Sequence, residues 1–226
     1  MSVATIVVAA GASDCESLHA TGLIQPVNAI SSLAFSVAGL AILVWAKQVT
    51  GHERLLRIMF ATAMILTGIG SYLFHGYDNA FAQFAHDITF LVTVWMLAVI
   101  NVSEARRWQR SVGWGMVGLG VVIFTGALLI GPGITNVITV GVTAALVASD
   151  IVLERIGGIS RPIWISSLVA MVAAIVFFLI GRTASAICDP ASWFQGHGLW
   201  HAMSALALTL YFVATSRSRL IRSDHA

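Results

Sequence analysis

The chain has 226 residues, of which 58% are hydrophobic and only 10% charged, where an average soluble domain carries about 25% charged residues. That balance excludes a soluble globular domain and points to a helical membrane protein. The formal net charge of +2 comes from 12 basic and 10 acidic side chains clustered between long apolar runs, and no basic stripe is left to meet a nucleic acid.

The first apolar stretch, residues 3–10, is too short to span and has no basic residue before it. A short interfacial helix or strand-like segment is expected there rather than a cleaved signal peptide. A membrane-spanning helix needs about 20 mostly apolar residues, and seven stretches qualify: 26–45, 55–75, 84–102, 112–130, 136–153, 164–180 and 196–214. Gly51, Gly131-Pro132-Gly133, Gly157-Gly158, Arg161-Pro162 and Asp189-Pro190 punctuate the chain between or beside them. With no low-complexity linker and no convincing repeat, residues 1–226 read as one all-α domain, an integral membrane bundle of seven transmembrane helices.

Lysines and arginines set the expected orientation. Lys47, Arg54 and Arg57 flank the first loop; Arg106, Arg107 and Arg110 lie between spans three and four. Arg155 and Arg161 lie between five and six, and Arg217, Arg219 and Arg222 fill the tail. With seven spans all of these fall on one side, leaving only Arg182 on the other. The N-terminus is therefore expected outside and the C-terminus in the cytoplasm. Trp45, Trp108, Trp114, Trp164 and Trp193 fall near span ends and read as interface anchors, whereas Trp200 reads as packing between helices.

On this map the unusual polar residues gather at one depth. Ser71 and His75 fall in the outer turns of span two, His86 and Asp87 in the first turns of span three, and His197 and His201 at the outer start of span seven. Side chains four apart share a helix face, so His197 and His201 have the spacing with which one helix gives two ligands to zinc. An ionisable residue inside a span is costly and a functional candidate by default; Asp87 is the most deeply embedded carboxylate on this map. His75, His197 and His201 can give zinc three nitrogens and leave a fourth position to water, whose pKa the ion lowers to about 7. Asp87 is then placed to carry a proton, and Ser71 to donate to the developing oxyanion or to the water. His86 reads as an interfacial residue or a partner behind the ligands, and His19, His52 and His225 as solvated. A packed histidine pair without metal is the alternative reading of the His197/His201 spacing. Cys15 and Cys188 both map outside, where a disulfide is permitted; two free thiols are the alternative.

Asp14-Cys15-Glu16, Asn28 with Ser31 and Ser32, Ser71-Tyr72-Leu73-Phe74-His75, Asp87, and His197-Gly198-Leu199-Trp200-His201 together resemble, in order along nearly the whole chain, the motifs of the alkaline ceramidases. These belong to a superfamily of seven-span metal hydrolases that includes the progestin/adiponectin receptors and GPI-lipid remodelling proteins. The resemblance implies zinc on His75, His197 and His201, with Ser71 and Asp87 supporting the water and the amide carbonyl, and a ceramide-like membrane lipid as substrate. It also implies a disulfide like the Cys15–Cys188 pair. The sequence departs from the family where Leu18 and Gln25 replace the usual Asn and Glu of a calcium site. Asp14 and Glu16 remain as oxygen donors, and calcium takes six to eight, so a calcium ion is doubtful. The spacing from His75 to Asp87 is also slightly longer than in the family.

The expected activity is zinc-dependent hydrolysis of the amide bond of a ceramide-like lipid, giving a fatty acid and a sphingoid base, at an active site facing the exoplasmic or periplasmic side. A lipid esterase or phospholipid remodeller of the same superfamily is the runner-up. A non-enzymatic seven-span receptor with a structural metal is the other alternative, which the open fourth position disfavours. The oligomeric state is open at this point.

Overall fold

The computed structural model describes residues 13–223, so the stretch 3–10 and His225 lie outside the described residues. Seven helices follow one another: α1 (Pro26–Ala46), α2 (Gly51–Tyr77), α3 (Ala80–Arg106), α4 (Arg110–Ile130), α5 (Thr135–Arg155), α6 (Arg161–Ile180) and α7 (Gly196–Ser223). Each is long and apolar enough to cross a bilayer. The chain is an all-α, multi-pass membrane protein.

Both α2 and α3 start ahead of the apolar pattern, and at α3 a side-chain cap sets the start. The Asn79 side chain accepts the Ala82 N–H at 2.9 Å to start α3. Left-handed residues at Asp78 (φ 41°) and Arg107 (φ 53°) end α2 and α3. Pro26 opens α1 with its φ already helical, but Gln25 gives no side-chain cap. Instead Glu16 reaches in, and its two oxygens accept the N–H groups of Val27 at 2.7 Å and Asn28 at 2.8 Å. Both oxygens of one residue counted above among the calcium donors are thus engaged at the positive end of a helix dipole.

α1 packs between α2 and α7, α3 packs against α2, α4 and α5, and α6 lies along α7. Small residues permit the close crossings. A Cβ on Gly68 would stand 2.3 Å from Ser36 Oγ, and one on Gly196 would stand 2.7 Å from the Gly181 backbone. Phe35, Met64, Leu97 and Phe212 fill the centre, with the Phe60 and Phe212 rings stacked at 4.3 Å. Val37 and Val44 on α1, Ile123 on α4, and Val172 and Leu179 on α6 point outward, as a belt facing lipid tails would. Trp45, Trp114 and Trp164 pack partly against the core rather than standing free, while Trp193 is exposed.

Two polar networks run through the bundle away from the histidines. Asn101 on α3 donates to Ser149 at 2.8 Å and Asp150 at 2.9 Å on α5, and Tyr211 on α7 also donates to Asp150. Asp150 is as buried as Asp87, so the helices hold a second buried carboxylate away from the histidines. Farther along, Glu53 holds Arg57, Ser216 and Arg219, joining the start of α2 to the end of α7.

At the opposite end, residues 13–25 lie across the bundle. Cys15 is bonded to Cys188, which is the pairing the sequence favours. The Cys15 N–H donates to Gly181 C=O at 2.8 Å and the Gln25 N–H to His75 C=O at 2.9 Å. The segment is tied to both α2 and α6, over the histidines.

Candidate metal centre

His75 stands near the end of α2, and His197 and His201 occupy the first two turns of α7. The three are buried, and one potential ligand atom from each lies within 4.8 Å of the others. Ring centroids are 4.6 Å apart for His197 and His201, 4.9 Å for His75 and His197, and 5.1 Å for His75 and His201. The contact of Gly196 with Gly181 sets α7 close to α6 one residue before His197. Phe35 and Phe178 wall the cluster with edge-on and tilted rings.

Hydrogen bonds fix how two of these rings present themselves. Ser31 Oγ donates to Asn28 C=O at 3.0 Å, so at 3.0 Å from His201 Nδ1 it is left to accept. His201 therefore carries its proton on Nδ1 and turns the Nε2 lone pair inward. Gln25 Oε1 can only accept, and at 2.8 Å it takes the Nδ1–H of His75. His75 Nε2 is then a bare lone pair, buried and without a protein partner. A buried acceptor left unpaired costs about 1–3 kcal/mol, and a cation removes that cost. Histidine ligands ordinarily have their other nitrogen held in this way. The donor set fits a metal ion.

His197 has a different neighbour. The Asp14 carboxylate lies 3.2 Å from its Nδ1, without hydrogen-bond alignment. Asp14 is also paired with Arg182 at 2.6 Å. Burial pushes the Asp14 pKa up to about 6, with Arg182 pulling the other way. Arg182, the single basic residue on this end of the sequence map, is thus neutralised by a buried acid rather than left facing the membrane. Burial also raises Glu16, against the two backbone N–H groups that favour its charged form.

Ser71 is buried one turn before His75. Its Oγ is 2.8 Å from Ser32 Oγ and 3.5 Å from His201 Nε2. Since Ser32 donates to Asn28 C=O at 2.8 Å, Ser71 donates to Ser32. Asn28 is fully buried below these serines and keeps both side-chain amide atoms without a protein partner. Asp87 bonds His86 Nδ1 at 2.8 Å with one oxygen and accepts from Thr135 at 3.1 Å with the other. His86 stacks on Phe74 at 4.9 Å, and its ring centroid lies 6.5 Å from that of His75. Asp87 is thereby linked toward the cluster through His86.

Ser31 and Ser32 enter the sequence reading only through the family resemblance, and Asp14 and Gln25 receive no role at the histidines there. The contacts of Asp14 and Gln25 depend on where residues 13–25 fold back, which no local pattern encodes. His52 is a clear miss: it is a helical residue of α2 with a buried Nδ1, not a solvated loop histidine. His19 is exposed as expected. Trp200 packs against Phe178 of α6 at 5.3 Å. A scan against protein-family models gives no match, and a search of the curated proteins gives none either.

Proposed function

We propose that the protein is a zinc-dependent intramembrane hydrolase that cleaves the amide bond of a ceramide-like lipid, releasing a fatty acid and a sphingoid base. The observation that carries this reading is the buried trio His75, His197 and His201, with a bare Nε2 on His75. Three imidazoles with no fourth ligating side chain grouped with them among the described residues match the ligand set of catalytic rather than structural zinc sites. Bound there, zinc would acidify a water molecule and polarise the carbonyl. Ser71 turns its hydroxyl from Ser32 to the substrate oxygen. Asp87, backed by His86 and Thr135, takes a proton from the attacking water and returns it to the departing amine. Phe35 and Phe178 keep the site apolar around the acyl carbon.

The same reading places this end of the bundle on the exoplasmic or periplasmic side, with the C-terminus in the cytoplasm. The gathering of basic residues at the other end supports it, as does the disulfide at this one. The test is a screen of ceramides, phospholipids and N-acyl amino lipids on purified protein, read by mass spectrometry with a metal-stripped control. Metal-dependent release of fatty acid from ceramide is expected. Turnover of esters with no amide cleavage would replace the amidase by an esterase, and turnover unaffected by stripping would remove the metal from the reaction. Asp87→Asn is expected to retain zinc and lose turnover.

A further inference from the structure

A cavity of about 290 Å³ opens between α2, α3 and α4. It lies at the end of α2 that carries His52, and the helical rise separates it from His75 by about 34 Å, roughly the thickness of a bilayer core. Its lining joins apolar Leu56, Val99 and Val117 to the exposed Arg107 and Arg110 and to half-buried Trp108 and Trp114. Ser103 and His52 line it too, and Ser103 Oγ and His52 Nδ1 are both buried and both without a protein hydrogen bond. Glu104 also lines the cavity and sets one negative charge against the two arginines.

Three features suit this cavity to an anion attached to a hydrocarbon. The first turn of α4 has no side-chain cap, so the positive end of its dipole lies next to Arg110. Arg107, the left-handed residue that ends α3, brings a second guanidinium into the same lining as Arg110. Finally, Gly113 leaves room beside Ser103: a Cβ there would approach Ser103 Oγ to 2.9 Å. Arginine pairs with phosphate through two parallel N–H groups, and tryptophans mark headgroup depth.

We propose that this cavity binds a phosphate ester, the headgroup of an anionic phospholipid. Arg107 and Arg110 pair with the phosphate, Ser103 and His52 donate to it from within, and the apolar wall receives the first methylenes of the acyl chains. The site is separate from the histidine centre and independent of what that centre hydrolyses.

The experiment compares purified full-length protein in detergent with the Arg107→Gly/Arg110→Gln variant and with an Arg155→Gln/Arg217→Gln variant of equal charge. Arg155 and Arg217 are exposed and outside the cavity. Each protein is titrated with phosphatidylglycerol, phosphatidylcholine and inorganic phosphate, and followed by native mass spectrometry and tryptophan fluorescence. The expected result is retention of phosphatidylglycerol over phosphatidylcholine, weakened about tenfold or more in the cavity variant and unchanged in the control. Glycine relieves the strain at position 107, so the variant keeps its thermal unfolding midpoint; Ser103→Ala provides a second, uncharged weakening. If inorganic phosphate alone saturates the signal and phosphatidylglycerol shows no advantage over phosphatidylcholine, the ligand is the free ion held by the same groups. Equal binding by the cavity variant and the wild type, or no response to any anion, overturns the proposal.

Discussion

The imidazole of His75 is aimed by a residue far away in sequence. Gln25 can only accept at its Oε1, and that fixes the proton on Nδ1 and the lone pair on Nε2. Gln25→Leu is expected to lower metal affinity by about 10–100-fold, the usual effect of removing a partner behind a ligand, measured by competition with a chelator. Unchanged affinity would mean that packing alone orients the ring. Ser71→Ala is expected to keep the metal and lower turnover by about 10²–10³-fold, as loss of an oxyanion donor does; single-turnover kinetics would read it. His75→Ala, His197→Ala and His201→Ala should each abolish metal retention, shown by elemental analysis. What made the histidines legible was local: a spacing of four on one helix, and equal depth on two others. What hid Gln25 and Asp14 was their position in the irregular segment 13–25, whose path is set by a disulfide and by Arg182.

Among the helices, the seven apolar stretches were readable because membrane spans require long runs with few charges. Their ends were not, because caps come from the connecting residues. The clearest case is α1, whose first N–H groups are satisfied from ten or more residues upstream by Glu16. Glu16→Ala is expected to destabilise the protein by about 1–2 kcal/mol, as loss of a strong cap does, seen as a lower unfolding midpoint in detergent. The α1–α2 crossing leaves no space at Gly68. Gly68→Leu should separate the helices and cost about 1–3 kcal/mol, while an equivalent change at Gly118 of α4, where a side chain meets open space, should be tolerated. His52 was misread at this scale too: a loop assignment placed it in solvent, and the helix begins one residue before it.

For the molecule as a whole, polar groups divide by level. Histidines with serines and acids occupy one end, Asn101, Asp150 and Tyr211 an inner level, and the Glu53 cluster and the arginine-lined cavity the other end. The depth of the histidines could be read from the sequence. The pairing of Asp150 with Asn101 and Tyr211, and of Glu53 with Ser216 and Arg219, could not, since each joins helices distant in the chain. The Cys15–Cys188 bond closes the strap formed by residues 13–25 across the histidine end. Cys15→Ser/Cys188→Ser is expected to cost about 2–5 kcal/mol and to speed metal loss to a chelator. A variant that unfolds earlier but releases metal at the wild-type rate would separate the strap from the site. A reporter fused after α7 should stay on the cytoplasmic side if the basic end faces inward.

The strap also imposes an order on biosynthesis. Cys15 leaves the ribosome first among these groups, yet its partner thiol follows 173 residues later and two of the three imidazoles follow later still. A centre built from all three imidazoles therefore cannot form before α7 is made: an arrested nascent chain lacking α7 would hold His75 without His197 and His201.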